Sequence, residues 1–241
     1  MSAVKNEEPI DDRRLEWFVP AFGPIPFRIG VGLLFLPYTG MVLSYTVIGA
    51  MLAPVIHWDR VAAIVMIYFF GLGIAAHTLD AIGGKGGIKP WGQHFTQRTL
   101  WGIAILSLVV SYGVGLYYIV TVASGLFIIA MLEGFFLFAY NLEWWKGRFH
   151  TDNWFALSWG VLPVCAGFII QTNTLSPSAL MIALSMGLVS LVEINASRPY
   201  KELKRQGQSH PHIAHYETIL KSVSLSVILL AIGMILWKQQ L

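Results

Sequence analysis

Residues 71–98 read GLGIAAHTLDAIGGKGGIKPWGQHFTQR. An apolar run of membrane-crossing length ends in His77 and Asp80, then breaks at Gly83 and Gly84. A basic, glycine-rich loop follows. Polar groups at the mouth of an apolar helix are costly to hold there unless they meet a partner or a ligand. Two later apolar runs end in a similar way. One closes with Tyr140, Asn141 and Glu143, the other with Glu193 and Asn195. The pattern predicts a membrane protein in which three helix ends converge on one polar site at one membrane face.

Composition points the same way. Of the 241 residues, 56% are hydrophobic and 12% charged, and the mean hydropathy is +0.63. Soluble domains carry about 25% charged residues. The expectation is an all-α, polytopic bundle of transmembrane helices. A cytoplasmic or interfacial segment is expected over 1–27, and a single transmembrane bundle over 28–241. The formal charge is +3. Its basic residues sit between apolar runs, which suits loops facing anionic membrane lipid and not a nucleic-acid surface. The single cysteine, Cys165, lies in an apolar run. It excludes an intrachain disulfide and a cysteine metal cluster, and reads as a small buried residue. The N-terminal MSAVKNEEPIDDRRLEWF lacks the short apolar core of a signal peptide. The first span is therefore expected to act as its own insertion signal.

Seven spans are expected, near 29–52, 60–82, 99–114, 116–140, 154–171, 177–197 and 217–237. The run 99–140 is too long for one crossing at roughly 20 residues per helix. Gly113 and Gly115 mark the expected turn. Pro37 and Pro163 fall inside spans, where neighbouring helices can tolerate them. Lys5, Arg13, Arg14 and Arg28 precede the first span, and Lys85, Lys89 and Arg98 follow the second. Lys146 and Arg148 follow the fourth, and Arg198, Lys201, Lys204 and Arg205 the sixth. The opposite loops hold Arg60 and Lys238, with Lys221 at the start of the last span. This bias predicts a cytoplasmic N-terminus in an inner or plasma membrane, with the C-terminus on the other side.

His77 and Asp80 are three apart and share a helix face. They could hold a divalent cation, or Asp80 could orient His77 or accept loop amides. Alone, the pair reads most plainly as a helix end reaching water. The loop changes that reading. Gly83, Gly84, Gly86 and Gly87 leave backbone amides open to an anion, and Lys85, Lys89 and Arg98 add positive charge. Together these suit a phosphate. Glu133, deep in the fourth span, is a functional candidate as an intramembrane carboxylate. Glu193, with Asn195 and Ser197 after it, suits magnesium bridging a carboxylate and a diphosphate. A salt bridge from Glu193 to Arg198 or Lys201 is the plainer alternative. The histidine-rich SHPHIAH, 209–215, contains Pro211 and reads as a solvated loop. Repeated histidine pairs on helix faces are lacking, which argues against a di-iron oxidase. GxSxG, P-loop and HExxH motifs are also absent from the sequence.

Three stretches carry a resemblance: AAHTLDAIGGK (75–85), AYNLEWWKGRFHTDNWFALSWGVLPVCAGF (139–168) and LVEINASRPYKELKR (191–205). In order and spacing they resemble the UbiA superfamily of intramembrane prenyltransferases over roughly residues 28–237. The resemblance implies a helical bundle whose second and sixth helices end in cytoplasmic-side acidic motifs holding magnesium and an isoprenoid diphosphate. It implies that Asp80 and Glu193 hold Mg2+, and that Asn141 and Glu143 orient a lipophilic acceptor. Lys85, Lys89, Lys146, Arg148 and Arg198 would neutralise the diphosphate. His77, Arg98, Tyr140 and Asn195 would complete the substrate site. The chain departs from the family's pattern in keeping one acid, Asp80, in the first motif. It also has Glu193 and Asn195 for an aspartate pair, and seven spans for nine. Two other readings stand beside transfer. One is a non-catalytic lipid-, quinone- or pigment-binding or assembly protein of the same fold. The other is a membrane metal oxidoreductase using His77, His94 and His150 with Glu143.

Overall fold

A backbone immersed in hydrocarbon has only itself to hydrogen-bond with, so long apolar runs close into helices. The computed structural model describes residues 16–83, 94–205 and 210–240, and among these no strand occurs. The helices are α1 (Ile25–Leu33), α2 (Leu36–Met51), α3 (Trp58–Gly83), α4 (Gln97–Thr121), α5 (Leu126–Asn141), α6 (Asp152–Thr172), α7 (Pro177–Arg205) and α8 (Pro211–Gln239). Six helical runs are long and apolar enough to cross a membrane, α1 and α2 together forming the first. The 16-residue α5 is apolar but shorter. The protein is thus a membrane-integral helical bundle.

α2 and α6 form the centre. They approach backbone to backbone because glycine lies on both sides of the contact. A side-chain carbon at Gly49 would collide with the Val164 carbonyl, and one at Gly167 with the Thr46 carbonyl. Small residues at such crossings are how membrane helices gain close packing without a hydrophobic driving force. α4 and α8 lie outside and turn Leu106, Val109, Val120, Leu229 and Leu236 outward, as a lipid-facing helix requires.

Several expectations need correction. The turn between the third and fourth spans is not at Gly113 and Gly115, which lie inside α4. It falls at 122–125, where the Gly125 N–H donates to Asn173 Oδ1 at 2.9 Å. The sixth span does not stop at Ser197. α7 runs on through Pro199 to Arg205. His212 and His215 belong to the first turns of α8, not to a loop, and His210 Nδ1 caps that helix by accepting from the His212 N–H. Residues 16–24 of the expected interfacial segment pack onto the bundle. The Trp17 N–H meets the Tyr200 hydroxyl at 3.4 Å, Trp17 packs against buried Ala196, Tyr200 and Leu220, and Arg28 Nε donates to the Pro20 carbonyl at 2.6 Å.

Two irregularities shape the polar end. The first span breaks between α1 and α2 at Phe35, whose φ of 44° is left-handed. Pro37 then sits in the first turn of α2, where its missing N–H costs nothing. In α3, residues Phe69–Ala76 widen into π-helical turns before His77–Gly83 resumes α-helical geometry. Both are local departures of a kind concentrated at functional sites.

Candidate functional site at one end of the bundle

The ends of α3, α5 and α7 meet. A side-chain carbon at Gly83 would strike the Asn141 carbonyl, so α3 closes directly onto the end of α5. Tyr140, buried one residue earlier, has its hydroxyl within the electrostatic reach of the Arg198 side chain on the third helix. The charges of Asp80 and Asp152 both act on that hydroxyl. Arg198 Nε also pairs with Asp152 Oδ1 at 2.8 Å, and Arg198 Nη2 donates to the His150 carbonyl at 3.4 Å. His150 stacks on Tyr140, with ring centroids 4.3 Å apart, and its Nδ1 lies 3.0 Å from the Tyr140 carbonyl.

A second polar group lies against α2. Glu193 is 4% exposed. The Tyr38 hydroxyl and the Lys201 charge, two turns along α7, both act on its carboxyl. Tyr38 is also paired with the Ser197 hydroxyl. The Ser190 hydroxyl meets that of Tyr45 at 3.2 Å. Lys201 Nζ stands 5.1 Å from the ring centre of Phe35 and 5.0 Å from that of Tyr38.

Aromatic rings join the two groups. Phe35 stacks on His77 at 4.7 Å, and His77 lies 5.2 Å from Trp159. Trp159 stacks on Phe155 at 5.4 Å, and Phe155 lies 6.0 Å from Tyr140. His77 is buried, with Thr39 Oγ1 3.5 Å from its Nε2. The break at Phe35 lets that ring lie flat on His77. Aromatic faces are electron-rich and attract cations. A polar end and a row of packed aromatic rings therefore sit side by side.

The candidate residues divide accordingly. Asp80, Tyr140 and Arg198 come together, and Glu193 joins them through the aromatic rings. Asn141 is buried, but its amide is spent on the Leu137 carbonyl of its own helix at 2.7 Å. Glu143, Trp145 and Lys146 adopt left-handed φ in the turn after α5, where Lys146 and Arg148 are exposed. Arg98 is exposed in the first turn of α4. Asn195 is exposed and does not join Glu193, because two helical positions are about 200° apart. Lys85 and Lys89 lie outside the described residues. Among the described residues, no three of His, Cys, Asp and Glu gather as metal ligands.

Sequence reading missed Asp152, Tyr38, Phe35 and Trp159, and named His150 only as a possible metal ligand. Asp152 had a signal, an acid in the first turn of a helix, where the dipole favours negative charge. No family model, curated protein or solved structure matches this chain.

Proposed function

We infer that this membrane protein is UbiA-like and binds an isoprenoid diphosphate at the α3–α5–α7 end, transferring its prenyl group to a lipophilic acceptor. One observation carries the reading: the charges of Arg198 and Asp80 both act on the buried Tyr140 hydroxyl, and a row of aromatic rings leads away from it. Arg198, open to solvent beside Asp152, would hold the diphosphate electrostatically. The rings of Phe155, Trp159, His77 and Phe35 would border the first prenyl unit. Their faces would stabilise positive charge as the carbon–oxygen bond breaks. Magnesium needs one or two carboxylates and completes its shell from water and phosphate oxygens. Asp80, with Asp152 across Tyr140, offers that donor set, while Glu193 is engaged by Tyr38 and Lys201. Bound there, the metal would offset charge on the departing diphosphate. The positive-charge bias supports a cytoplasmic position for this end.

The test is diphosphate release from farnesyl diphosphate by purified protein in lipid nanodiscs, with and without magnesium. The expected result is magnesium-dependent release that is lost in Asp80→Asn. A non-catalytic binder is the second reading. It is favoured by Arg198 already being paired with Asp152. Saturable binding of farnesyl diphosphate without release would select it. Neither binding nor release overturns both. A histidine metal centre draws no support, since His77 and His150 are each packed against aromatic rings.

A further inference from the structure

The turn after α5, residues 143–150, serves two surroundings. One side belongs to the candidate site through His150, which stacks on Tyr140 and gives its carbonyl to Arg198. On the other side Trp144, Trp145, Lys146 and Arg148 are exposed. The backbone there is unusual. Glu143, Trp145 and Lys146 have φ of 50°, 51° and 62°, and Gly147 follows at 79°. A side chain held in the left-handed region is unfavourable and persists only where its surroundings fix it. Here they do. The Gly147 N–H donates to the Glu143 carbonyl at 3.0 Å, and the His150 N–H to the Gly147 carbonyl at 2.9 Å. Trp144 stacks on Phe138, and Trp145 lies 5.6 Å from Phe149. The turn therefore presents its exposed side chains in a set geometry.

Two observations say what meets them. The first is position. Ile128, Met131 and Phe135 share one face of α5 and are exposed. Trp145 lies 6.1 Å from Phe135, so the turn continues that apolar face at the point where the helix ends. Tryptophan belongs at the boundary between hydrocarbon and headgroups. The second is charge. Among the described residues, Lys146 and Arg148 have no ion-pair partner. Of the acids on the same stretch, Asp152 is paired with Arg198 and Glu143 is half-buried. Two cations thus stand just beyond a hydrocarbon-facing surface.

We propose that this turn is a docking site for an anionic phospholipid, whose head meets Lys146 and Arg148 and whose chains lie along Ile128, Met131 and Phe135. The sequence pattern gives both cations to a diphosphate; their exposure beside Trp145 gives them to lipid. The site shares no residue with the proposed diphosphate site, so the two stand or fall separately.

The test is photolabelling of the full chain in phosphatidylcholine nanodiscs with a diazirine-bearing phosphatidylglycerol, followed by peptide mapping. The expected result is saturable labelling of α5 and the turn. Unlabelled phosphatidylglycerol should compete on the order of tenfold better than added phosphatidylcholine, the scale for two basic side chains near an anionic surface. Lys146→Gln combined with Arg148→Gln, both at exposed positions, should erase that preference. Equal competition by phosphatidylcholine overturns the proposal and identifies a boundary lipid only. Displacement by free glycerol phosphate as complete as by phosphatidylglycerol overturns it too, because an anion and not a lipid then occupies the turn. A preference kept in the double variant also overturns it. The wild-type competition decides the matter even where the variant does not fold.

Discussion

The two ends of the bundle use polar side chains differently. At the end formed by 52–57, 122–125 and 172–176, polar groups bond to backbone. Gln171 clasps His57, accepting its N–H at 2.8 Å and donating to its carbonyl at 3.1 Å. Arg60 donates to the Gln171 carbonyl at 2.9 Å, Asn173 accepts from Gly125, and Lys238 Nζ donates to the Ala53 carbonyl at 2.9 Å. These contacts satisfy helix ends, which is a structural task. At the opposite end, ionisable side chains meet one another: Arg198 with Asp152 and Tyr140, and Glu193 with Tyr38 and Lys201. A partly exposed pair such as Arg198–Asp152 gains little for stability. The presence of such groups at one end, against an aromatic wall, is what separates a candidate site from a capped terminus.

The comparison breaks most visibly if activity fails to follow the side-chain cluster. Asp80→Asn and Arg198→Ala should each lower diphosphate release by about a hundredfold or more, the scale for removing a preorganised electrostatic contact. Their melting temperatures, read by fluorescence-detected chromatography, should stay near wild type. A large loss of thermal stability in both would mean that the cluster is a structural clasp. The contact at the centre should behave in the opposite way. Gly167→Val pushes a side chain into the Thr46 carbonyl. It should cost about 1–3 kcal/mol by overpacking, lowering the melting temperature while the surviving folded fraction keeps its turnover per molecule.

This division of labour was only partly legible in the sequence. Hydropathy is a bulk property, so the existence of the apolar runs could be read directly. The turn at 122–125 could not. SYGVG carries two glycines and draws attention, yet a glycine inside a membrane helix costs little when lipid surrounds it, and Gly113 touches nothing. Asp80, Tyr140 and Arg198 stood out as polar residues ending apolar runs. Asp152 looked like an ordinary loop residue, because its meaning comes from α7, some fifty positions away. Tyr38 and Phe35 were hidden by the helix break before Pro37, which the proline announces but does not aim. Asn195 was placed beside Glu193 on proximity in the chain alone, although helical geometry already turns it to another face.

At the capped end the effects should be smaller and confined to stability. Gln171→Leu leaves the His57 N–H without its side-chain partner, while the His57 carbonyl keeps the Arg60 and Val61 N–H groups. Losing one hydrogen bond at a partly exposed helix end costs about 1 kcal/mol, so a slightly lower melting temperature with unchanged diphosphate release is expected. Asp59→Asn should do least of all. Its carboxylate receives the exposed Tyr118 hydroxyl at 3.4 Å, a long contact at the membrane boundary. Water replaces such a bond readily, and exposed substitutions of this kind usually fall within about 0.5 kcal/mol. Equal melting curves for Asp59→Asn and wild type, measured beside Gln171→Leu, would show that burial and backbone satisfaction set the ranking at this end. A loss of turnover in Asp59→Asn would sink the assignment of this end to structure, because a carboxylate with only an exposed phenol for a partner would then be acting across the whole thickness of the bundle.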